Sequence, residues 1–219
     1  MKKNMSKNVV NLVTKEETDF AEIFLYGYIG DHWDEKKRNS DLKFVEELSR
    51  LEAKYDRINI RINGPGGSVY HGNAIVNAII SSKKEIHTYI DGMAASMSFM
   101  IWASSKHRHC AVNGIAMAHS PINVVYGNAE EMREAANVLD KFESSFVNTL
   151  VHSLGMKEED VKSDFFGPKD TWLDRKEMVE NGLINENDEY KAKSKLPADV
   201  ENMTYLDIVN HFKEYICQK

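Results

Sequence analysis

The stretch YIDGMAASMSFMIWASSKHRHC, residues 89–110, contains the junction on which the fold assignment depends. A β-rich segment ends at Asp91, small residues follow, and an apolar, helix-like segment begins after Ser96. Ser96 therefore stands where a strand is predicted to become a helix. It is either a small residue that lets two elements pack closely or a nucleophile held at a helix N-terminus, and the local sequence leaves both interpretations open.

The preceding part of the chain has the same order of elements. The segment RINIRI, residues 57–62, predicts a strand, the breaker NGPGG follows at 63–67, and a helical pattern starts at Ser68. Gly66 and Gly67 form either a tight turn or a corner whose backbone N–H groups bind an anion or oxyanion. Repeated strand, glycine turn and helix is typical of crossover β/α units, whose ligands gather at the carboxyl ends of the strands.

Other elements follow from periodicity and capping residues. We predict strands at 21–30, 85–90 and 109–118, and helices at 40–53, after Ser68, after Ser96, after Asp174 and after Thr204. Residues 1–18 are predicted to be a mobile arm, 19–190 one domain, and 191–219 a linker with an amphipathic C-terminal helix. The helix predicted after Thr204 docks either on its own domain or on a partner.

The longest predicted helix has clear ends. Asn128 with Glu131 resembles a capping box, and Gly155 supplies a stop. Between them an apolar stripe recurs at nearly coiled-coil spacing, formed by Met132, Ala135, Leu139, Phe142, Phe146 and Leu150. The stripe either crosses the core of its own domain or belongs to a protruding handle that packs against another subunit, and we favour the handle.

Composition excludes several classes of protein. The 219 residues carry a net charge of −6, which gives no reason to expect nucleic-acid binding. Two cysteines cannot form a disulfide framework and indicate a reducing compartment. The N-terminal sequence lacks the apolar core of a signal peptide, and no segment approaches the ~18 apolar residues of a membrane span. We expect a cytoplasmic protein without a membrane partner.

Candidate partners for Ser96 lie downstream. A serine hydroxyl needs a general base, and His119 follows the next predicted strand in IAMAHSP. The base in turn needs an orienting carboxylate, for which Asp170 in GPKDTWLDRKE is the candidate. Taken alone, each of these residues can be explained without a catalytic role, for example as a surface histidine or a loop carboxylate.

Together, the motifs are more specific. The ordered segments NGPGGSVYHGNAI, GMAASM, AMAHSP, DTWL and EMVENGLIN resemble the Clp-type serine protease family, in particular its phage and prophage branch, the ClpP-like head maturation proteases. The resemblance covers residues 21–186. It implies an α/β fold of the ClpP/crotonase-type β/α superhelix with an extended handle helix.

The resemblance also implies the site. Ser96 would be the nucleophile, His119 the general base and Asp170 the residue that orients His119. The backbone N–H groups of Gly67 and Met97 would form the oxyanion hole. The predicted reaction is hydrolysis of protein or peptide substrates inside a homo-oligomer, a heptameric ring or stacked rings, for phage or prophage capsid maturation or for Clp-type proteolysis.

The sequence departs from the family pattern at several points. Gly64 replaces a serine of the usual Asn-Ser-Pro-Gly-Gly, which removes no catalytic group. Asp164 or Asp174 could replace Asp170 if the loop runs differently. The N-terminal segment has little likeness to the axial loop through which Clp peptidases meet an AAA+ unfoldase, so that partner is less strongly implied.

No metal or cofactor is expected. In HRHC a strand would place His107 and His109 on one face and Cys110 on the other, which serves tetrahedral zinc poorly. Two rival functions remain alongside the peptidase: a catalytically silent ClpP-like ring subunit and a crotonase-type acyl-CoA enzyme. A crotonase would share the fold and the oxyanion hole without needing Ser96 and His119.

Overall fold

The computed structural model describes residues 12–30 and 38–185. Its strands are β1 Leu12–Glu16, β2 Phe20–Ile29, β3 Arg38–Asn39, β4 Arg57–Gly67, β5 Glu85–Ala95, β6 His107–Cys110, β7 Ile115–Ala118 and β8 Thr171–Asp174. Its helices are α1 Asp41–Glu52, α2 Val69–Ser81, α3 Met97–Ala103, α4 Ala129–Leu154, α5 Glu158–Phe165 and α6 Arg175–Glu180.

The strands of the described ranges form one mixed sheet of eight, with the order β1-β2-β4-β5-β7-β8, β3 beside β2 and β6 beside β5. Neighbours β2, β4 and β5 are parallel, and β6 and β7 both run parallel to β5. The edge strands β1 and β8 are antiparallel to their partners. Helices between the parallel strands provide the crossovers that the sequence predicts, which confirms the α/β fold class.

One apolar core joins the sheet to the helices. Alternate residues of β4, namely Ile58, Ile60 and Ile62, are buried together with Phe44 of α1 and Ile75 of α2. Alternation in a strand and three- or four-residue spacing in a helix place these side chains on facing surfaces. Their burial holds the strand ends in register, and the candidate site lies at those ends.

A buried ion network lies among the strands that lead to Ser96. Arg61 of β4 donates to Asp91 of β5 at 2.6 Å and to Glu22 of β2 at 3.1 Å. The hydroxyl of Tyr26 donates to the second Asp91 oxygen at 2.6 Å. Burial raises the pKa of Asp91, and the Arg61 guanidinium opposes that rise. Because the charges are paired and hydrogen-bonded, the network fixes three adjacent strands to one another.

Several predicted boundaries move in the structure. Residues 12–16, which the sequence analysis placed in a mobile arm, pair with β2 as strand β1. The predicted breaker at 63–67 continues β4 instead, since Gly66 and Gly67 adopt positive φ while Gly67 still pairs with Ile29. The predicted strand 109–118 is two strands separated by a turn.

The predicted helix caps are confirmed. Asn128 accepts hydrogen bonds from the backbone of α4, Glu131 completes the capping box, and Gly155 ends the helix with φ of 70°. Asp174 and Glu177 form the same box at α6. The predicted linker and helix beyond residue 190 lie outside the described residues.

The two halves of α4 have different environments. Phe146, Val147 and Leu150 in the C-terminal half are buried in the core. In the N-terminal half, Met132 and Val138 are exposed. The helix is therefore a core element at one end and an uncovered one at the other. Among the described residues, no helix is long and apolar enough to cross a bilayer.

Candidate active site

Ser96 lies at the junction between β5 and α3, with φ of 54° and ψ of −122°. Among the described residues it is the only non-glycine residue with positive φ. This conformation costs of order 1–3 kcal/mol and persists only where the surroundings enforce it. Residues held in this way cluster at functional sites, so the backbone itself marks Ser96 as unusual.

The sheet register brings His119 to Ser96. Strand β7 pairs with the last residues of β5, ending with Ala95 opposite Met117. The Ser96 N–H then donates to the Met117 carbonyl at 2.8 Å. Because His119 is two residues beyond Met117, its Nε2 lies 2.7 Å from the Ser96 Oγ. The geometry is that of a hydroxyl hydrogen-bonded to its general base.

The glycine corner at the end of β4 lies against the Ser96 junction. A Cβ on Gly66 would be 2.6 Å from the Ala95 carbonyl oxygen and 2.8 Å from the Met97 nitrogen. Only glycine, which has no Cβ, allows the two segments to approach this closely. The φ of 93° at this position is a second, independent reason for glycine. The N–H of Met97 is the first of α3 and has no intrahelical acceptor. Gly67 lines the same small cavity as Ser96 and His119.

Asp170 is near His119 in the backbone but does not contact it. Strand β8 is antiparallel to β7, and its first residue, Thr171, pairs with Ala118. Asp170 and His119 thus each lie one residue beyond the last pair of the ladder. The Asp170 side chain is exposed. Within residues 12–30 and 38–185 no hydrogen bond or ion pair joins it to His119, which is bonded through Nε2 to Ser96.

The two alternative carboxylates have other positions. Asp174 accepts from the Glu177 N–H at 2.8 Å as the N-cap of α6, and it lies at the far end of β8, opposite Ile115. Asp164 accepts from the Ser163 hydroxyl at 3.0 Å on α5. Neither residue is adjacent to His119 in the ladder, so Asp170 is the carboxylate that the register favours.

Two depressions adjoin Ser96. The first, of about 50 Å³, is lined by Ser96, His119 and apolar side chains that include Met100 and Phe146. The second, of about 400 Å³, shares Gly67, Val69 and Ile122 with the first and extends to Leu139 and Phe142 of α4. The reactive pair is therefore flanked by apolar surface on which side chains of a bound chain could lie.

A comparison with known protein families gives independent evidence for the family to which the chain belongs. The family model described as Clp protease matches residues 5–188. This chain belongs to the Clp protease family. The family is one of serine peptidases, and the mixed α/β architecture is consistent with its fold.

Sequence reasoning missed two supporting features of the site. One is the Met117 carbonyl, which anchors Ser96; strand pairing cannot be read from a single sequence. The other concerns Gly64, where a Cβ would be 3.1 Å from the buried Ser98 hydroxyl. A side chain at position 64 would crowd both the Ser98 hydroxyl and the Gly27 carbonyl oxygen, so glycine leaves room for this close approach. This close approach is a tertiary contact, so the sequence alone contained no signal for it.

Proposed function

We propose that the protein is a serine endopeptidase in which Ser96 is the nucleophile and His119 the general base. The observation that carries this proposal is the 2.7 Å contact between Ser96 Oγ and His119 Nε2 at a strained strand–helix junction. His119 takes the hydroxyl proton as Ser96 attacks the scissile carbonyl, and it then protonates the leaving amine. Water then attacks the acyl-enzyme, with His119 taking a proton from the water and returning it to Ser96 Oγ.

The backbone N–H groups of Gly67 and Met97 are assigned as the donors that stabilise the oxyanion of the tetrahedral intermediate. Both residues line the cavity at Ser96, and Met97 begins a helix whose dipole adds positive potential. Donors of this kind are fixed before the reaction, and loss of one from such a hole typically costs about 10²- to 10³-fold in kcat.

Asp170 is assigned as the residue that orients His119. Its place one residue beyond the β7–β8 ladder supports this role. Paired residues of an antiparallel ladder direct their side chains to the same face, so a rotation of the Asp170 side chain with local movement of residues 167–170 would bring the carboxylate toward the imidazole. The acid then fixes the tautomer that accepts the proton at Nε2.

The substrate class is an extended peptide with apolar side chains near the cleaved bond. The groove of about 400 Å³ beside Gly67 is lined mainly by apolar and aromatic groups, among them Tyr70, Val138 and Phe142. Among the described residues, no aspartate, glutamate, lysine or arginine lines either depression at Ser96. An apolar residue at the position before the cleaved bond is therefore preferred to a charged one.

The working form is proposed to be a homo-oligomeric ring, heptameric and stacked as in other Clp-type peptidases. In its support, apolar residues after His119 are uncovered in the single chain: Ile122 is 79% exposed and Val124 is 96% exposed. Ile122 lines the same groove as Val138 of the exposed half of α4, so the two apolar surfaces adjoin. Apolar patches of this kind on one chain are typical of protein–protein contacts. An AAA+ unfoldase is not assigned as a partner.

The proposed biological setting is capsid maturation of a phage or prophage, in the bacterial cytoplasm. It rests on the likeness of the sequence motifs to head maturation proteases and on no feature of the site.

A second candidate function is a catalytically silent ring subunit. The exposed Asp170, without contact to His119, favours it, because a dyad without its acid is a weaker base system. The acyl-CoA alternative has no observation of this kind in its favour, since a crotonase needs no hydroxyl–imidazole pair.

Hydrolysis of quenched fluorescent peptides distinguishes the two candidates. We expect the full chain to cleave a peptide with leucine or phenylalanine before the scissile bond, and to cleave a matched peptide with aspartate there much more slowly. The control is Ser96→Ala, which should fold and lack activity. A folded, assembled protein with no more activity than Ser96→Ala would establish the silent subunit instead.

A further inference from the structure

A second cluster of chemically active side chains lies at the opposite end of β5. Strand β6 pairs in parallel with β5, with His87 opposite His107 and Tyr89 opposite His109. Glu85 is two residues before His87, so it lies on the same face of β5. The pairing of two strands thus assembles a carboxylate and three imidazoles that the sequence separates by about 20 positions.

The ligand atoms of this cluster are close together. One each from Glu85, His87 and His107 lie within 4.8 Å of one another. His87 Nε2 is 2.5 Å from a Glu85 carboxylate oxygen, and the His87 and His107 rings stack at 4.3 Å with planes 11° apart. Zinc bonds of 2.0–2.1 Å place tetrahedral ligand atoms about 3.3 Å apart, so modest side-chain rotations without backbone movement would suffice.

His109 fixes the orientation of His87. His87 Nδ1 lies 2.9 Å from His109 Nε2, and both residues are buried. Without an ion, the 2.5 Å contact is that of His87 Nε2–H donating to the Glu85 carboxylate. With an ion bound, the other tautomer places the proton on Nδ1, which donates to His109 Nε2 and leaves the Nε2 lone pair for the ion. Metal-binding histidines typically donate their other ring N–H to a neighbouring acceptor in this way.

We propose that Glu85, His87 and His107 bind one divalent transition-metal ion of the zinc class, at the end of the sheet remote from Ser96. His109 is a positioning residue for His87 and not a ligand. The prediction of no metal from the sequence considered only the HRHC segment, and strand pairing adds Glu85 and His87 to it. Two imidazoles and one carboxylate suit zinc and its neighbours better than calcium or magnesium.

The surroundings allow an ion to enter and to keep an exchangeable ligand. Glu85 and His107 line a cavity of about 210 Å³, which leaves room for water as the fourth ligand. The Glu85 side chain is 53% exposed and that of His87 only 7%, so the site is open on one side and fixed on the other.

An ion at this position would tie β6 to β5. In the described sheet β6 pairs with β5 and lies off the main strand order. The ion would be about 30 Å along β5 from Ser96, from the nine residue steps that lead from His87 to Ser96 at ~3.3 Å each. Its effect is therefore expected on the stability of the strand pair, with the chemistry at Ser96 left unchanged.

Cobalt titration of the full chain tests the proposal. The protein carries no histidine tag and is freed of metal by a chelator, which is then removed. Co²⁺ is added while d–d absorption is recorded, and Zn²⁺ is then used to displace it. We expect one equivalent of Co²⁺ per chain, displaced by one equivalent of Zn²⁺, with a spectrum of low-symmetry, four- or five-coordinate cobalt.

Glu85→Gln and His107→Asn should each weaken cobalt binding by at least about 10-fold, given that even partners outside the ligand set matter by 10- to 100-fold. His152→Asn is the matched control, since His152 lines the same cavity but is outside the cluster. It should bind as the unaltered chain does. Glu85 is exposed, so Glu85→Gln is expected to fold and decides the matter alone if His107→Asn does not.

The absence of saturable binding up to millimolar Co²⁺ would overturn the proposal and leave the cluster as an ion pair with stacked rings. Binding that persists undiminished in both Glu85→Gln and His107→Asn would overturn it as well. Neither result bears on peptide hydrolysis at Ser96, because the two sites share no residue.

Discussion

Ser96 and His119 are held by the backbone of the sheet, whereas Asp170 lies in an exposed turn at the end of that sheet. The Ser96 N–H is bonded to Met117, and the two side chains are 2.7 Å apart. Asp170 is one residue beyond the ladder and contacts neither. The proposed nucleophile and base are thus positioned by the fold of one chain. The proposed acid lies in a loop, and we propose that substrate or a neighbouring subunit moves it toward His119.

His119→Ala should have the largest effect, because the base is part of the fixed half of the site. We expect kcat to fall by about 10⁶-fold, as when a triad histidine is removed elsewhere. The measurement is peptide hydrolysis at saturating substrate. His152→Ala, an exposed histidine on α4, serves as the control. A rate within tenfold of the unaltered protein would exclude His119 as the base.

Asp170→Asn should have a smaller effect, since the acid acts through His119. A fall of about 10⁴-fold is expected if the loop closes during turnover. Asp164→Asn is the matched control, because Asp164 is another exposed carboxylate of the same region that bonds only locally. Equal rates for Asp170→Asn and Asp164→Asn would show that the site works as a dyad.

Gly66→Ala should destabilise the junction at Ser96 through strain and steric overlap in the backbone. The new Cβ would be 2.7 Å from the Ser96 Cβ, at a φ of 93° that disfavours alanine. We expect the free energy of unfolding to fall by about 2–4 kcal/mol, from strain and steric overlap together. Gly155→Ala adds strain alone, because nothing lies within 4 Å of its Cβ position at φ of 70°.

Thermal or urea unfolding of the two glycine variants gives the comparison. The Gly155→Ala variant should lose only about 1–2 kcal/mol, the cost of a left-handed conformation. Equal losses for the two would mean that the corner between β4 and Ser96 can relax, and that its close packing does not hold the site.

The double substitution Leu139→Gln and Phe142→Gln should have the smallest effect on the Ser96–His119 pair itself. Both residues line the apolar groove on α4 and are partly covered in the single chain. If α4 is an inter-subunit handle, sizing with light scattering should show smaller species than the unaltered protein. Lys141→Gln on the same helix is the control. An unchanged mass would show that this surface does not hold the assembly.

The sequence predicted what local rules determine. The caps of α4 and α6, the helix after Ser68 and the strand before Ser96 follow from side-chain type and periodicity. It mispredicted the extent of β4, because two glycines can continue a strand through conformations closed to other residues. Pairing of the 12–16 segment with β2 also depended on a partner strand that local rules do not supply.

For the site, family motifs selected Ser96, His119 and Asp170, but only tertiary structure gives their relation. The Ser96–His119 distance depends on the β5–β7 register, and the exposure of Asp170 depends on where β8 begins. The Glu85–His107 cluster was not predicted for the same reason, since β5–β6 pairing joins residues that no spacing rule connects.

The central claim is that Ser96 is an activated nucleophile, and fluorophosphonate labelling tests it most directly. The full chain is treated with the probe, its intact mass is measured, and the adduct is mapped by peptide sequencing, with Ser96→Ala as the control. The account predicts one adduct per chain, on Ser96, and none in the variant. An adduct on another residue, or none on a folded and assembled protein, would contradict it.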